Sequence, residues 1–260
     1  MLHGVDPAFV VSGLAIGLLV GFTGVGGGSL MTPLLVLVFG IHPATAVGTD
    51  LLYAGLTKIS GSAVHAYHRS VDWRITRRLA LGSVPASLLS LVLLAHLGSH
   101  SRASGGIIST TLGVALIITA IMLIFRKALL ARLTRLMDGA SEQRIMVLTV
   151  LLGVVLGVLV TISSVGAGAI GATILLTLYP RSPIVRIVGS DIAHAVPLTL
   201  IAGAGHWWLG SVDLHMLVSL LAGSIPGIMI SSHFASRVPD RVLRPILAGT
   251  LAVVGGRLAF

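Results

Sequence analysis

Residues 13–28 read GLAIGLLVGFTGVGGG, and residues 153–168 read GVVLGVLVTISSVGAG. Gly13, Gly17, Val25, Gly26 and Gly28 of the first stretch recur 140 positions later as Gly153, Gly157, Val165, Gly166 and Gly168. After a one-residue slip the spacing becomes 141. Gly48-Thr49-Asp50 returns as Gly189-Ser190-Asp191, His65 as His206, Val71-Asp72 as Val212-Asp213, and Gly82-Ser83-Val84-Pro85 as Gly223-Ser224-Ile225-Pro226. Shared hydrophobicity does not preserve such an order, so the chain reads as two copies of one unit. The most polar stretch lies between the copies and sets the division: a first transmembrane repeat at 1–125, a basic cytoplasmic linker at 126–144, and a second transmembrane repeat at 145–260.

Composition says what surrounds the repeats. Of 260 residues 55% are hydrophobic and 10% charged, whereas a soluble domain carries roughly 25% charged residues. A hydrocarbon core about 30 Å thick takes roughly 20 apolar residues per helix, so the chain supplies about eight spans and no sizeable soluble domain. The formal charge of +9 fits basic loops between apolar runs rather than a nucleic-acid surface. With no cysteine, disulfides, thiolate metal sites and cysteine nucleophiles are excluded. Met1–Pro7 lacks the basic start of a cleavable signal peptide, so the first apolar run is expected to stay in the mature chain.

Two apolar runs are too short to cross. Leu30 to Phe39 and Ile170 to Tyr179 each give about 15 Å of helix, and each follows a glycine-rich break. The expected fold is therefore an all-α polytopic membrane protein of two inverted-topology repeats. Each repeat has a Gly-rich broken or re-entrant helix pair plus three further transmembrane helices. The basic loops test the inversion. Inverted repeats place fourteen Lys and Arg on one side against Arg102 and Arg257 on the other, while parallel repeats divide them ten to six. The positive-inside rule favours inversion, with both termini outside the cytoplasm.

Inverted repeats with broken helices hold substrate at mid-membrane where the halves meet. The first turn of each half-helix offers N–H groups without intrahelical partners and the positive end of a dipole, which suits an anion. Gly26, Gly27, Gly28 and Ser29 at one break, and Ser163, Ser164, Gly166 and Gly168 at the other, are the candidate anion contacts, with Thr49, Lys58 and Ser190. Glycines that merely permit close helix packing are the plainer alternative. No P-loop lysine and no βαβ pattern accompany either break, so a nucleotide loop does not fit.

Asp50 and Asp191 are the acidic residues inside apolar runs, at equivalent repeat positions. An ionised carboxylate at that depth costs about 2.5 kcal/mol or more unless compensated. They are read either as proton or coupling-ion carriers or as structural caps on the helix breaks. His194, one turn beyond Asp191, is a candidate to share its proton or a packing residue. Lys58, whose repeat counterpart is Thr199, either faces the anion, pairs with Asp50 or snorkels to the interface. His65 and His206 are candidate gates or anchors, and Trp207-Trp208 reads as an interfacial belt. No histidine spacing makes a metal site, and no cofactor is expected.

Gly21-Phe22-Thr23-Gly24-Val25-Gly26-Gly27-Gly28, Pro33-Leu34-Leu35, Pro43-Ala44-Thr45-Ala46-Val47-Gly48-Thr49-Asp50, Gly61 with His65, and Val71-Asp72 resemble the TauE/SafE family of sulfite exporters, as do Gly189-Ser190-Asp191, Gly205-His206 and Gly223-Ser224-Ile225-Pro226-Gly227. The resemblance covers nearly the whole chain. It implies a multi-pass protein of the bacterial inner membrane that exports small sulfur-containing anions such as sulfite or organosulfonates. Ala167 in place of Gly27 and Thr173 in place of Pro33 make the two half-sites unequal. The partners expected are a small anionic substrate and the lipid bilayer, with no nucleic acid; periodicity leaves the oligomeric state open. A carboxylate importer and an anion channel are the nearest alternatives. An intramembrane hydrolase is disfavoured because Ser29, Ser163 and Ser164 have no adjacent nucleophile motif.

Overall fold

The computed structural model describes residues 5–23, 28–67, 71–98, 101–137, 139–234 and 240–259. Among them there are eleven helices and no strand: α1 (Pro7–Thr23), α2 (Gly28–Leu37), α3 (Pro43–Tyr67), α4 (Trp73–Leu97), α5 (Arg102–Ile124), α6 (Arg126–Met137), α7 (Glu142–Ser163), α8 (Ala169–Leu178), α9 (Ile184–Trp208), α10 (Leu214–Phe234) and α11 (Asp240–Ala259). Among the described residues, five helices are long and apolar enough to cross a membrane: α4, α5, α7, α9 and, over Leu214–Ser231, α10. The two short runs form ten-residue helices, α2 and α8.

The helix starts are written in the sequence. Asp72 accepts from the Arg74 N–H at the head of α4, Ser101 from Ser104 at α5, and Ser141 from Arg144 at α7. Asp213 accepts from the Met216 N–H at α10 and Asp6 from Ala8 at α1. Each cap satisfies a donor that the first helical turn leaves without an acceptor. The linker contains a helix that its polar composition concealed, α6, which packs against α8.

The interhelical contacts repeat with the same offsets as the sequence. A Cβ at Gly13 of α1 would overlap the backbone of Leu220 in α10, and one at Gly153 of α7 would overlap that of Leu79 in α4. Gly17 meets Ser224 as Gly157 meets Ser83, and Gly223 meets Val10 as Gly82 meets Val150. Backbones touching at small residues replace the hydrophobic drive that lipid does not supply. Each half thus lays its first helix on the fourth of the other.

Between these pairs α3 crosses α9. Gly48 meets His206, Leu52 meets Gly203, and Gly55 meets Leu200 and Thr199, so the two helices run in opposite directions. Around them Val47, Leu51, Val160, Leu198 and Ala202 form a buried core. Gly113 of α5 meets Ala259 of α11 and Gly255 meets Ile117, which is likewise antiparallel. The outward faces keep large apolar side chains exposed, among them Leu81, Leu89, Met229 and Val253, as a lipid-facing surface requires. At one end, Arg74 and Arg78 of α4 reach Glu142 of α7 at 2.7 and 2.9 Å, and Arg78 also donates to the Tyr179 hydroxyl at 3.2 Å.

Candidate functional site

The break between α7 and α8 is held open by its backbone. Ser164 ends α7 in the left-handed region at φ 59°, and Gly166 and Gly168 follow at 130° and 116°, conformations that a side chain strains. Helix α8 therefore starts afresh at Gly168 without a side-chain cap. Ala167, Gly168 and Ala169 stay half-buried although the flanking Val165 and Ile170 are buried. In the first half, α2 begins at Gly28; Gly26 and Gly27 lie outside the described residues.

Each carboxylate sits against the short helix of its own half. Asp50 of α3 accepts the Thr32 hydroxyl of α2 through Oδ2, and the Ser164 hydroxyl from the other half lies beside it. Asp191 of α9 faces the backbone N–H of Gly168, and its Oδ1 occupies the space that a Cβ at Gly171 would need. Both aspartates are buried, at 0% and 2% exposure.

Lys58 joins the two. Its ammonium interacts electrostatically with Asp191 and, less strongly, with Asp50, and it also acts on His194. It is half-buried. Among the described residues the only ion pairs within 4.0 Å are those of Glu142, so Lys58 is flanked by two carboxylates without being neutralised by direct contact.

A second layer matches across the halves. His194 Nε2 and the Ser83 hydroxyl of α4 are 2.7 Å apart. Their repeat counterparts, Tyr53 of α3 and Ser224 of α10, also face each other, and Tyr53 lies within electrostatic reach of Asp50. Pro85 and Pro226 interrupt the helical ladder two residues beyond each serine. Tyr53, Thr32, Ser83 and Ser224 were not singled out as site residues from the sequence. The signal was available for three of them: Tyr53 stands 141 positions before His194, and the serines belong to the repeated Gly-Ser-x-Pro motif.

Other expected contacts have structural employment. The Thr49 hydroxyl accepts from the Asp213 N–H at 3.0 Å and the Ser190 hydroxyl from the Asp72 N–H at 2.8 Å, an equivalent pair that ties α3 to the start of α10 and α9 to the start of α4. Ser190 also donates to the Arg186 carbonyl, and Ser163 to that of Leu159. Ser29 is buried in the first turn of α2. His206 is buried, with Nε2 2.9 Å from the Thr161 carbonyl oxygen, while the neighbouring Trp208 is 91% exposed. The His65 side chain lies outside the described residues. No group of three metal-ligating side chains occurs among those described.

Among the described residues nine buried side-chain atoms have no hydrogen-bond partner; Arg126 Nε, His206 Nδ1 and Ser211 Oγ lie apart, and the other six are Asp50 Oδ1, Tyr53 Oη, Ser164 Oγ, Asp191 Oδ1, His194 Nδ1 and Ser224 Oγ. Such atoms are rare in a folded interior, and three of them, on Asp50, Asp191 and His194, belong to residues that interact with Lys58.

The profile of a family described as sulfite exporter TauE/SafE matches residues 9–258. The chain belongs to the TauE/SafE family. Among the relatives of this TauE/SafE protein, the probable membrane transporter protein YjnA of Bacillus subtilis is 38% identical over 255 residues, 96% of this chain and 98% of its own. YdhB of the same organism, also named a probable membrane transporter protein, is 28% identical over 252 residues, covering 94% and 96% of the two chains. A probable membrane transporter protein of Methanocaldococcus jannaschii is 24% identical over 268 residues, or 96% and 93%. No solved structure matches significantly. Family, relatives and apolar helices together make this a multi-pass membrane transporter.

Proposed function

We propose that the protein is a secondary transporter that exports a small sulfur-containing anion, sulfite or an organosulfonate, across the bacterial inner membrane by alternating access. The observation that carries this reading is that Lys58 interacts with Asp50, Asp191 and His194, each of which keeps one buried polar atom without a partner, while the two acids contact the short helices α2 and α8. An ammonium, hydroxyls and helix N-termini are the donors that an oxyanion accepts from. Lys58, Ser164 and the helix starts at Gly28 and Gly168 would bind it. Tyr53 and His194 would approach from opposite halves. Ser29 and Ser163 would shape the breaks, and Thr49 and Ser190 would hold the surrounding helices in place. His206, locked onto Thr161, would anchor rather than gate.

Two inverted repeats, 1–125 and 145–260, supply the machinery in this reading. Its support is that α3 and α9, equivalent in sequence, run antiparallel, as do α5 and α11. A further support is that the arginine-rich head of α4 meets the head of α7 at one end. The short helices α2 and α8 would be the re-entrant arms.

Purified protein in liposomes should carry sulfite or sulfoacetate, and Lys58→Ala should abolish saturable uptake while eluting as folded protein. Transport of acetate but neither sulfur anion would overturn the substrate. Unitary currents far above carrier rates would replace the carrier by a channel.

A further inference from the structure

The donors around the site can be counted against its acids. Lys58 supplies one positive charge, and the starts of α2 and α8 supply about +0.5 each, since a helix N-terminus acts as roughly half a charge. With Lys58 protonated and both carboxyls ionised, these charges balance Asp50 and Asp191 before any ligand enters. Both helices have ten residues, and Thr32 of α2 and Gly168 before α8 contact the two carboxyls directly.

The other groups facing the acids do not alter the count. On α3 and α9 they are Tyr53 and His194; His194 shares its Nε2 with Ser83 and leaves Nδ1 unpaired, as a neutral ring can. His206 is turned to the Thr161 carbonyl. Helices α2 and α8 carry no titratable residue. From α7 comes Ser164 beside Asp50, while Ser83 of α4 meets His194 and Ser224 of α10 meets Tyr53; all three serines are uncharged.

An anion entering this balanced cluster would add an uncompensated negative charge inside the membrane, which is costly. One proton taken from water by either carboxylate removes that excess. A protonated carboxyl also gains an O–H donor that a bound oxyanion can accept from, and both acids hold one oxygen, Oδ1, without a partner. We propose that the site takes its anion together with a proton, carried on Asp50 or Asp191, so that anion and proton cross in the same direction. The inference rests on the transport reading above and names its coupling ion.

The test uses methanesulfonate and benzenesulfonate, which remain ionised throughout the working range, so that pH acts on the protein alone. Full-length protein is placed in liposomes with a luminal pH dye and the membrane potential clamped by potassium and valinomycin. An inward sulfonate gradient should acidify the lumen, and apparent affinity should fall about tenfold per pH unit across the alkaline limb, as linkage of one proton to one anion requires. Asp50→Asn and Asp191→Asn preserve size and an acceptor oxygen. At least one should bind sulfonate with an affinity that no longer changes with pH, read as the ligand-induced shift in melting temperature of the detergent-solubilised variant. Sulfonate flux in the wild-type protein that leaves luminal pH unchanged and is independent of pH overturns the coupling while leaving the carrier intact. Flux of neither sulfonate nor sulfite sinks the transport reading on which it rests. The wild-type measurement needs no variant, so a misfolded aspartate mutant does not obscure the result.

Discussion

Ser83 and His194 show how far one residue can be understood from its surroundings. The serine hydroxyl is buried and lies 2.7 Å from the histidine Nε2. Removing it leaves a buried ring nitrogen unsatisfied, a loss of roughly 1–3 kcal/mol. Ser83→Ala should therefore lower the melting temperature in a fluorimetric scan. Tyr53→Phe removes a hydroxyl that has no hydrogen-bond partner, so it should leave stability within about 0.5 kcal/mol and weaken anion uptake instead. An equal thermal loss in both variants would remove the distinction between a packing pair and a binding pair. Asp50, Asp191 and Lys58 stood out in the sequence because charge is rare in apolar runs. Tyr53 and Ser224 did not, because a tyrosine or serine is unexceptional until α10 is seen to face α3.

Among the elements, α1 with α10 and α4 with α7 pack backbone to backbone at their glycines. Gly82→Val or Gly223→Val would drive a side chain into the carbonyl of Val150 or Val10, so the paired helices would have to move apart. Each should cost about 3 kcal/mol or more and reduce the yield of monodisperse protein, whereas Gly249→Ala, with open space beside it, should be tolerated. The repeat exposed these glycines as a pattern, yet their partners sit in the other half, beyond the reach of local sequence. The short helices were legible from run length and the flanking glycines. Helix α6 was hidden because its apolar positions are diluted by basic ones: Arg126, Lys127, Arg132 and Arg135 lie among its twelve residues.

For the molecule as a whole, the orientation of the halves is open to a direct measurement. His96, at the end of α4, and Trp208, at the end of α9, are both exposed. Inverted repeats put them on the same face of the membrane, and parallel repeats put them on opposite faces. Because the natural chain has no cysteine, His96→Cys and Trp208→Cys can be labelled singly with an impermeant maleimide in cells. Labelling of both from outside supports inversion; labelling of one alone rejects it.

The lock of α1 on α10 also sets a clock for biogenesis. Gly13 and Gly17 present a bare backbone groove whose occupant begins about 200 residues later. At about 5–20 residues per second, the ribosome leaves that groove unfilled for about 10–40 s. Throughout that interval the nascent chain must shield it with lipid, with the insertion machinery or with a provisional neighbour. A helper that recognises small-residue faces during synthesis would act in that window, and a chain stopped before Leu220 would have nothing to close with.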